Sequence, residues 1–197
     1  MTKGQNSNHP QKGDMIRVEP IRNIKNVKAI KKLLADRPRD LALFTVGINT
    51  NLRASDLLQI TAGMVQNLKP MDEIELKEKK TGKLRRISLN KSCTESIQVL
   101  LKSCQYKDDV PIFSGQRGPL RVPSINALVK SWCKTVNLQG NFGSHTLRKT
   151  FGYHQRVTFG RGVAELMIVF NHSSERQTLT YLGIQPSEIK SIYQNEI

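Results

Sequence analysis

His145-Thr146-Leu147-Arg148-Lys149-Thr150, then His172-Ser173-Ser174, then Tyr181 nine positions after His172, form the stretch on which the fold turns. Ser144 is a fitting N-cap for a helix reaching Val157. The i, i+3 spacing puts His145 and Arg148 on one face of that helix, where one phosphate can touch both. Gly160 and Gly162 break the chain. Val163 to Phe170 makes the next helix, and Asn171 is suited to a left-handed C-terminal cap, so His172 falls at a helix boundary. Tyr181 lies on a further helix, Glu175 to Leu182. Pro186 starts a last one to Ile197, whose Ile189, Ile192 and Tyr193 make a short apolar stripe.

Upstream, helical periodicity begins near Asn26, with Val27, Ile30, Leu33 and Leu34 on one face and lysines opposite. Pro38 opens a second helix through Leu41, Phe44 and Ile48. Ala54 to Ile60 suits a short third. Two strand-like runs, Glu73 to Lys77 and Leu84 to Leu89, flank Lys80-Thr81-Gly82-Lys83, which carries the glycine a hairpin turn wants. Asn90 to Ser103 is helical, Phe113 to Val122 is a strand or loop, and Ser124 caps a helix to about Val136 with Trp132 inward. The expected fold is therefore mainly α with one small antiparallel sheet (α+β). Met1 to Arg22 is expected to be a flexible polar, basic tail, and 23–197 the domain.

Charge points to the partner. Lys plus Arg number 31 against 16 Asp plus Glu, a net charge of +15. From Val110 to Ala164 no carboxylate interrupts Arg117, Arg121, Lys130, Lys134, Arg148, Lys149, Arg156 and Arg161, which favours a nucleic-acid footprint over a mixed solvated surface. No apolar run reaches the roughly 18 residues of a membrane span, and the N-terminus lacks an apolar signal core. A cytoplasmic, nucleoid-associated protein is expected, with no membrane partner. Cys93, Cys104 and Cys133 match neither a metal template nor a disulfide framework; reduced structural thiols and no metal site are expected.

Cutting a phosphodiester without a metal needs an in-line nucleophile, fixed donors for the growing charge and a proton for the leaving 5′ oxygen. Guanidiniums offer planar forks matched to phosphate. Arg53, in Asn51-Leu52-Arg53-Ala54-Ser55-Asp56, and Arg148 supply two. Lys80 sits at the hairpin tip, where a long ammonium reaches a leaving group. Taken singly, each residue has an ordinary structural explanation: an ion pair, a core histidine, a helix cap, a turn lysine or a core tyrosine. Their order sets them apart.

That order, Arg, Lys, His-x-x-Arg, His, Tyr, resembles the tyrosine recombinase family of phage integrases, Xer-type recombinases and short fimbrial phase-variation recombinases. The matching motifs are Leu52-Arg53-Ala54-Ser55-Asp56-Leu57, Lys80-Thr81-Gly82-Lys83, His145 to Thr150, His172-Ser173-Ser174 and Thr178-x-x-Tyr181, within about Asn26 to Ile197. The resemblance implies the fold of that family's catalytic domain and a site-specific recombinase. Arg53 and Arg148 would hold the scissile phosphate, with His145 as acid/base beside it and His172 hydrogen-bonded to it. Lys80 would protonate the 5′ oxygen, Tyr181 would form a 3′-phosphotyrosyl bond, and Asp56 would steady the site. Because that bond keeps the phosphoester energy, neither cofactor nor metal is needed. The implied partner is double-stranded DNA, bound by a homo-tetramer that is a monomer or weak oligomer when free, with an accessory DNA-bending protein a further partner.

Lys83, Arg117, Arg121, Lys149, Arg156 and Arg161 are the expected DNA-facing cations. Tyr153, Tyr106 and Tyr193 lack the motif context, and His9 and His154 receive no role. Phe170-Asn171 stands where the family usually has Leu-Gly, and Leu182-Gly183 replaces the usual residues after the tyrosine, a glycine that could loosen its segment. A type IB topoisomerase-like nick-and-reseal enzyme and a catalytically silent DNA-binding protein of the same fold are the alternatives.

Overall fold

The computed structural model describes residues 18–183, 190 and 192–196. Its centre is α2 (Pro38–Asn49), which packs against α5 (Lys91–Ser103) and α7 (Ser144–Tyr153). Pro38 occupies the first turn of α2, where a missing N–H leaves nothing unsatisfied. The central helix buries Ala42, Leu43, Phe44 and Val46 in succession, so it is apolar nearly all round, as a helix enclosed by neighbours must be. Phe44 meets Trp132 of α6 (Val122–Thr135) edge to face at 5.9 Å. Each such fully buried side chain stabilises the fold by about 1.5–3 kcal/mol.

Around α2 lie α1 (Ile24–Leu33), the short α3 (Ala54–Leu57) and α4 (Ala62–Val65), and a hairpin of β1 (Glu73–Lys77) and β2 (Leu84–Ser88). The hairpin is antiparallel with Leu76 opposite Arg85 and Lys77 opposite Leu84. Ile74 and Leu76 point inward. Asn23 and Asn90 cap α1 and α5, accepting from the Lys25 and Cys93 amides. A second, minimal hairpin, β3 (Ser114–Gly115) and β4 (Gly118–Pro119), precedes α6. The expected α+β class, with its small antiparallel sheet, is the fold observed.

Several local expectations change. The cap of α6 is Arg121, not Ser124, because Pro123 fits the helix's first turn and starts it earlier. α7 begins after Gly143 and ends at Tyr153, and a wider π-turn, His154–Thr158, replaces its last turn. Of the stretch expected to be a tail, residues 18–22 are described, and they pack on the domain. Ile21 is 1% exposed. Its N–H donates to Thr150 Oγ1 (2.8 Å), and its carbonyl lies 2.9 Å from His154 Nε2. His154, given no role from sequence, thus anchors this strap. Cys93 and Cys133 are buried, as structural thiols should be, while Cys104 is exposed. His9 and the beginning of the final helix, with Ile189, lie outside the described residues, whereas Ile192 and Tyr193 are exposed.

α8 (Val163–Phe170) and α9 (Glu175–Leu182) form a satellite core of Leu166, Phe170 and Leu182, joined by Phe151 and Tyr181. It closes on α7 at Gly152, where any Cβ would run into Leu182 and Phe170. Leu182 is therefore packing, and Gly183, at φ +69°, ends α9 with its N–H on Leu179 O (2.8 Å). The departure Leu182-Gly183 thus gives α9 a buried packing residue and a C-terminal stop.

Candidate active site

Arg53 is the N-cap residue of α3, placed there by Asn51, which turns the chain at φ +55° after α2. Its Nη1 faces the Glu78 carboxylate at 2.9 Å and Asp56 Oδ2 at 3.8 Å. Asp56 is fully buried. Its Oδ1 accepts the Lys79 N–H at 3.0 Å, which fixes the turn next to Lys80. Lys80 itself is exposed in that turn.

Arg148 is buried one turn into α7, donating Nη2 to Phe170 O at 3.0 Å. Its guanidinium lies 5.0 Å from the Phe170 ring centroid and 5.8 Å from that of Tyr181. Burial lowers its pKa to about 10, with the Tyr181 hydroxyl opposing and the other arginines reinforcing. His145 lies on the exposed side of the same helix. Desolvation of its ring, then the charges of Arg148, Lys149, Arg53 and Lys80, hold its pKa below the usual histidine range. All four cations are therefore felt at one imidazole, which brings α3, the hairpin tip and α7 to one place.

Asn171 takes the left-handed conformation expected of it, φ +54°, and turns the chain so that His172 stacks near Phe170 (5.2 Å) and edge-on to Tyr181 (5.6 Å). His172 Nδ1 lies 3.0 Å from Thr178 Oγ1. Burial, then Arg148 and Arg53, pull its pKa down to about 4, so the ring is neutral near pH 7. The Thr178 hydroxyl also donates to Ser174 O (3.4 Å). Tyr181 has a buried hydroxyl with no hydrogen-bond partner; burial raises its pKa to about 12, opposed by Arg148 and Arg53. Lys149 Nζ lies 5.4 Å from the Tyr181 ring centroid.

Among the described residues, the buried side-chain polar atoms lacking a hydrogen bond are Asn51 Oδ1, Arg53 Nη1, Asp56 Oδ2, Arg148 Nη1 and Tyr181 Oη. Arg53 Nη1 has an ion-pair contact without hydrogen-bond alignment. Native interiors leave few such atoms, and a cluster of them calls for a ligand or a reactive role. Two guanidiniums, a neutral imidazole and a phenol are groups that suit an oxyanion with phosphate's shape and charge.

Three participants escaped the sequence. Glu78 is fully buried, bridging Arg53 and Arg85. Arg85 also donates Nη2 to Val169 O (2.8 Å), and Asn51 Nδ2 donates to the same carbonyl (2.7 Å). One signal was available: Ile74, Leu76 and Glu78 alternate along one strand direction, so an acid occupies an inward register. Of the other expected cations, Lys83 is exposed on the hairpin. Arg117 and Arg121 line a groove of about 700 Å³ at the β3–β4 turn. Arg156 lies in the π-turn, and Arg161 pairs with Glu165 at 3.6 Å. The other tyrosines have other partners: Tyr106 donates to Ile112 O, Tyr153 meets His154 edge to face, and Tyr193 is exposed.

Residues 20–188 match the phage integrase family. The chain is 34% identical over 181 residues to the probable integrase/recombinase YoeC of Bacillus subtilis, covering 89% of this chain and 95% of that one. Its fold is similar to the crystal structure of XerA recombinase (TM-score 0.72, 18% identity), over 94% of this chain and 65% of that one. XerH site-specific recombinase, bound to a palindromic difH substrate after cleavage, is also similar (TM-score 0.69, 21% identity), over 87% and 51%. The chain thus spans nearly all of the first relative and between half and two thirds of the two solved chains. On this match and this fold, the chain belongs to the phage integrase family and is a site-specific recombinase of the tyrosine type.

Proposed function

We propose that the protein cuts one strand of duplex DNA by in-line attack of Tyr181 Oη on the scissile phosphorus, forming a 3′-phosphotyrosyl bond and releasing a 5′ hydroxyl. Arg53 and Arg148 neutralise the non-bridging oxygens, where the transition state gathers charge. His145 exchanges the proton of the phenol, neutral before attack. His172 hydrogen-bonds a non-bridging oxygen through Nε2, with its Nδ1 held by Thr178 Oγ1. Lys80 protonates the leaving 5′ oxygen, and Asp56 keeps its turn in place. Attack by another 5′ hydroxyl reverses the step and rejoins the strand with no net loss of phosphoester bonds.

One observation carries this reading: Arg148 Nη1 and Tyr181 Oη are buried without hydrogen bonds, and the Arg148 guanidinium lies 5.8 Å from the Tyr181 ring centroid. Lys83, Arg117, Arg121, Lys149, Arg156 and Arg161 serve as DNA-facing cations, and the protein acts at the nucleoid in the cytoplasm. It assembles as a homo-tetramer on DNA, from a monomer or weak oligomer, with a DNA-bending protein assisting. Exposed Leu84, Ile168 and Val169 give a second copy an apolar surface beside a cleft of about 510 Å³.

The test is a nicked suicide duplex carrying a candidate attachment sequence, incubated with protein and run on a denaturing gel. A protein–DNA band is expected from the wild type. Recombinant products separate strand exchange from simple nick-and-reseal activity. Tight, salt-sensitive binding without any band would overturn the catalytic reading in favour of a DNA-binding protein.

A further inference from the structure

Glu78 takes no part in the chemistry above, yet its neighbours Lys79, Lys80 and Lys83 are exposed while it is fully buried. Each carboxylate oxygen is used. Oε2 lies 2.9 Å from Arg53 Nη1 and accepts from Thr81 Oγ1 at 2.7 Å. Oε1 accepts from Arg85 Nη1 at 2.9 Å. Burial works against the ionised form, but the Thr81 hydroxyl and the Arg53 and Arg85 guanidiniums outweigh it and hold the carboxyl at about 2.

Arg85 carries the connection onward. Its other nitrogen reaches Val169 O, shared with Asn51, and the next carbonyl, Phe170 O, takes Arg148. The C-terminal carbonyls of α8 are therefore held by donors from the α2–α3 turn, β2 and α7. Immediately beyond them the chain turns at Asn171 into His172 and α9. A continuous path of ion pairs and hydrogen bonds runs from Arg53 through Glu78 and Arg85 to the C-terminal end of α8, the helix that precedes the one carrying Tyr181.

A buried ion pair is a poor device for stability, because desolvating both charges offsets most of their attraction. It does fix geometry. An arginine side chain has about 2 kcal/mol of rotamer entropy to lose, and a clamp that is already oriented avoids that loss when the phosphate arrives. The exposed pair Arg86–Glu75 (2.9 Å) on the same hairpin makes no such connection.

We propose that Glu78 and Arg85 are positioning residues: together they lock Arg53 toward the phosphate and tie it to the carbonyl end of α8, so that the arginine and tyrosine halves of the site assemble as one unit. The proposal rests on the reading of Arg53 as a phosphate clamp.

The experiment compares wild type, Glu78→Gln, Arg85→Lys and the control Glu75→Gln. Single-turnover adduct formation is measured at saturating suicide duplex, DNA affinity separately, and Glu78→Gln is repeated in an Arg53→Ala background. Glu78→Gln and Arg85→Lys are expected to slow the saturated step on the order of 100-fold with unchanged Kd, and Glu75→Gln to match wild type. In the Arg53→Ala background Glu78→Gln is expected to add nothing, since its effect passes through Arg53. A multiplicative loss there, or full activity of Glu78→Gln, would overturn the proposal. Should the wild type form no adduct, the catalytic reading falls, and hydrogen exchange on the free protein still decides this one. The Asn171 and His172 amides are expected to exchange on the order of tenfold faster in both variants than in wild type and control; unchanged exchange in both overturns the coupling. Arg85→Lys stands in if Glu78→Gln does not fold.

Discussion

The Arg148 guanidinium sits 5.8 Å from the Tyr181 ring centroid, with Arg148 Nη1 and Tyr181 Oη both buried and lacking hydrogen bonds. A buried polar group left unsatisfied costs about 1–3 kcal/mol. Tyr181→Phe removes one such group, so strand cleavage should vanish while thermal unfolding stays put or rises by the equivalent of about 1 kcal/mol. A clear fall in the unfolding midpoint would show that the hydroxyl holds the fold.

Acid should weaken the fold in two stages. His172 titrates near 4 when folded against 6.5 in the free side chain, so between those values the unfolded chain binds a proton that the folded chain refuses. Stability then falls as pH drops through that window. Glu78, held at about 2 against 4.5, contributes fully above 4.5, and that contribution is lost as pH falls toward 2. Unfolding midpoints measured from about pH 8 to 3 should show both stages, and His172→Gln should flatten the first. A wild-type midpoint that is level across the first window would contradict the pKa of His172.

Lys80 can be tested through its leaving group. Lys80→Ala should slow cleavage of an ordinary duplex by about 10²–10⁴-fold. Sulfur in place of the bridging 5′ oxygen makes the leaving group a thiolate, which departs without a proton because thiols ionise near pH 8.5. The variant should approach the wild-type rate on that substrate. An undiminished defect would remove Lys80 from the proton-donor role.

The strap at residues 18–22 is predicted to matter for stability. Ile21 is 1% exposed and hydrogen-bonded through both backbone groups to Thr150 and His154. Ile21→Ala should cost about 2–5 kcal/mol in denaturant unfolding. A loss below 1 kcal/mol would mean that the strap is dispensable.

The order of Arg53, Lys80, His145, Arg148, His172 and Tyr181 was legible because helix spacing and motif residues are local properties of the chain. Asn171 as a left-handed cap was legible for the same reason. Glu78 and Arg85 were not: in sequence they are two charges among many on a basic hairpin. Only the inward register beside Leu76 and the arrival of α8, far along the chain, give them partners. Ile21 was hidden likewise: it closes a largely polar run, and its backbone partners, Thr150 and His154, lie far along the chain. The stop at Gly183 was not legible, because a flexible residue and a helix terminator look alike until φ is known.

The most direct measurement is a peptide map of the protein–DNA adduct. After nuclease trimming and trypsin digestion, the account predicts a nucleotide phosphate on the tyrosine of the peptide Gln177–Lys190, which contains Tyr181. The same adduct should persist in Tyr153→Phe and be absent in Tyr181→Phe. A nucleotide found on Tyr153, Tyr106 or Tyr193, or an adduct that survives Tyr181→Phe, would contradict it.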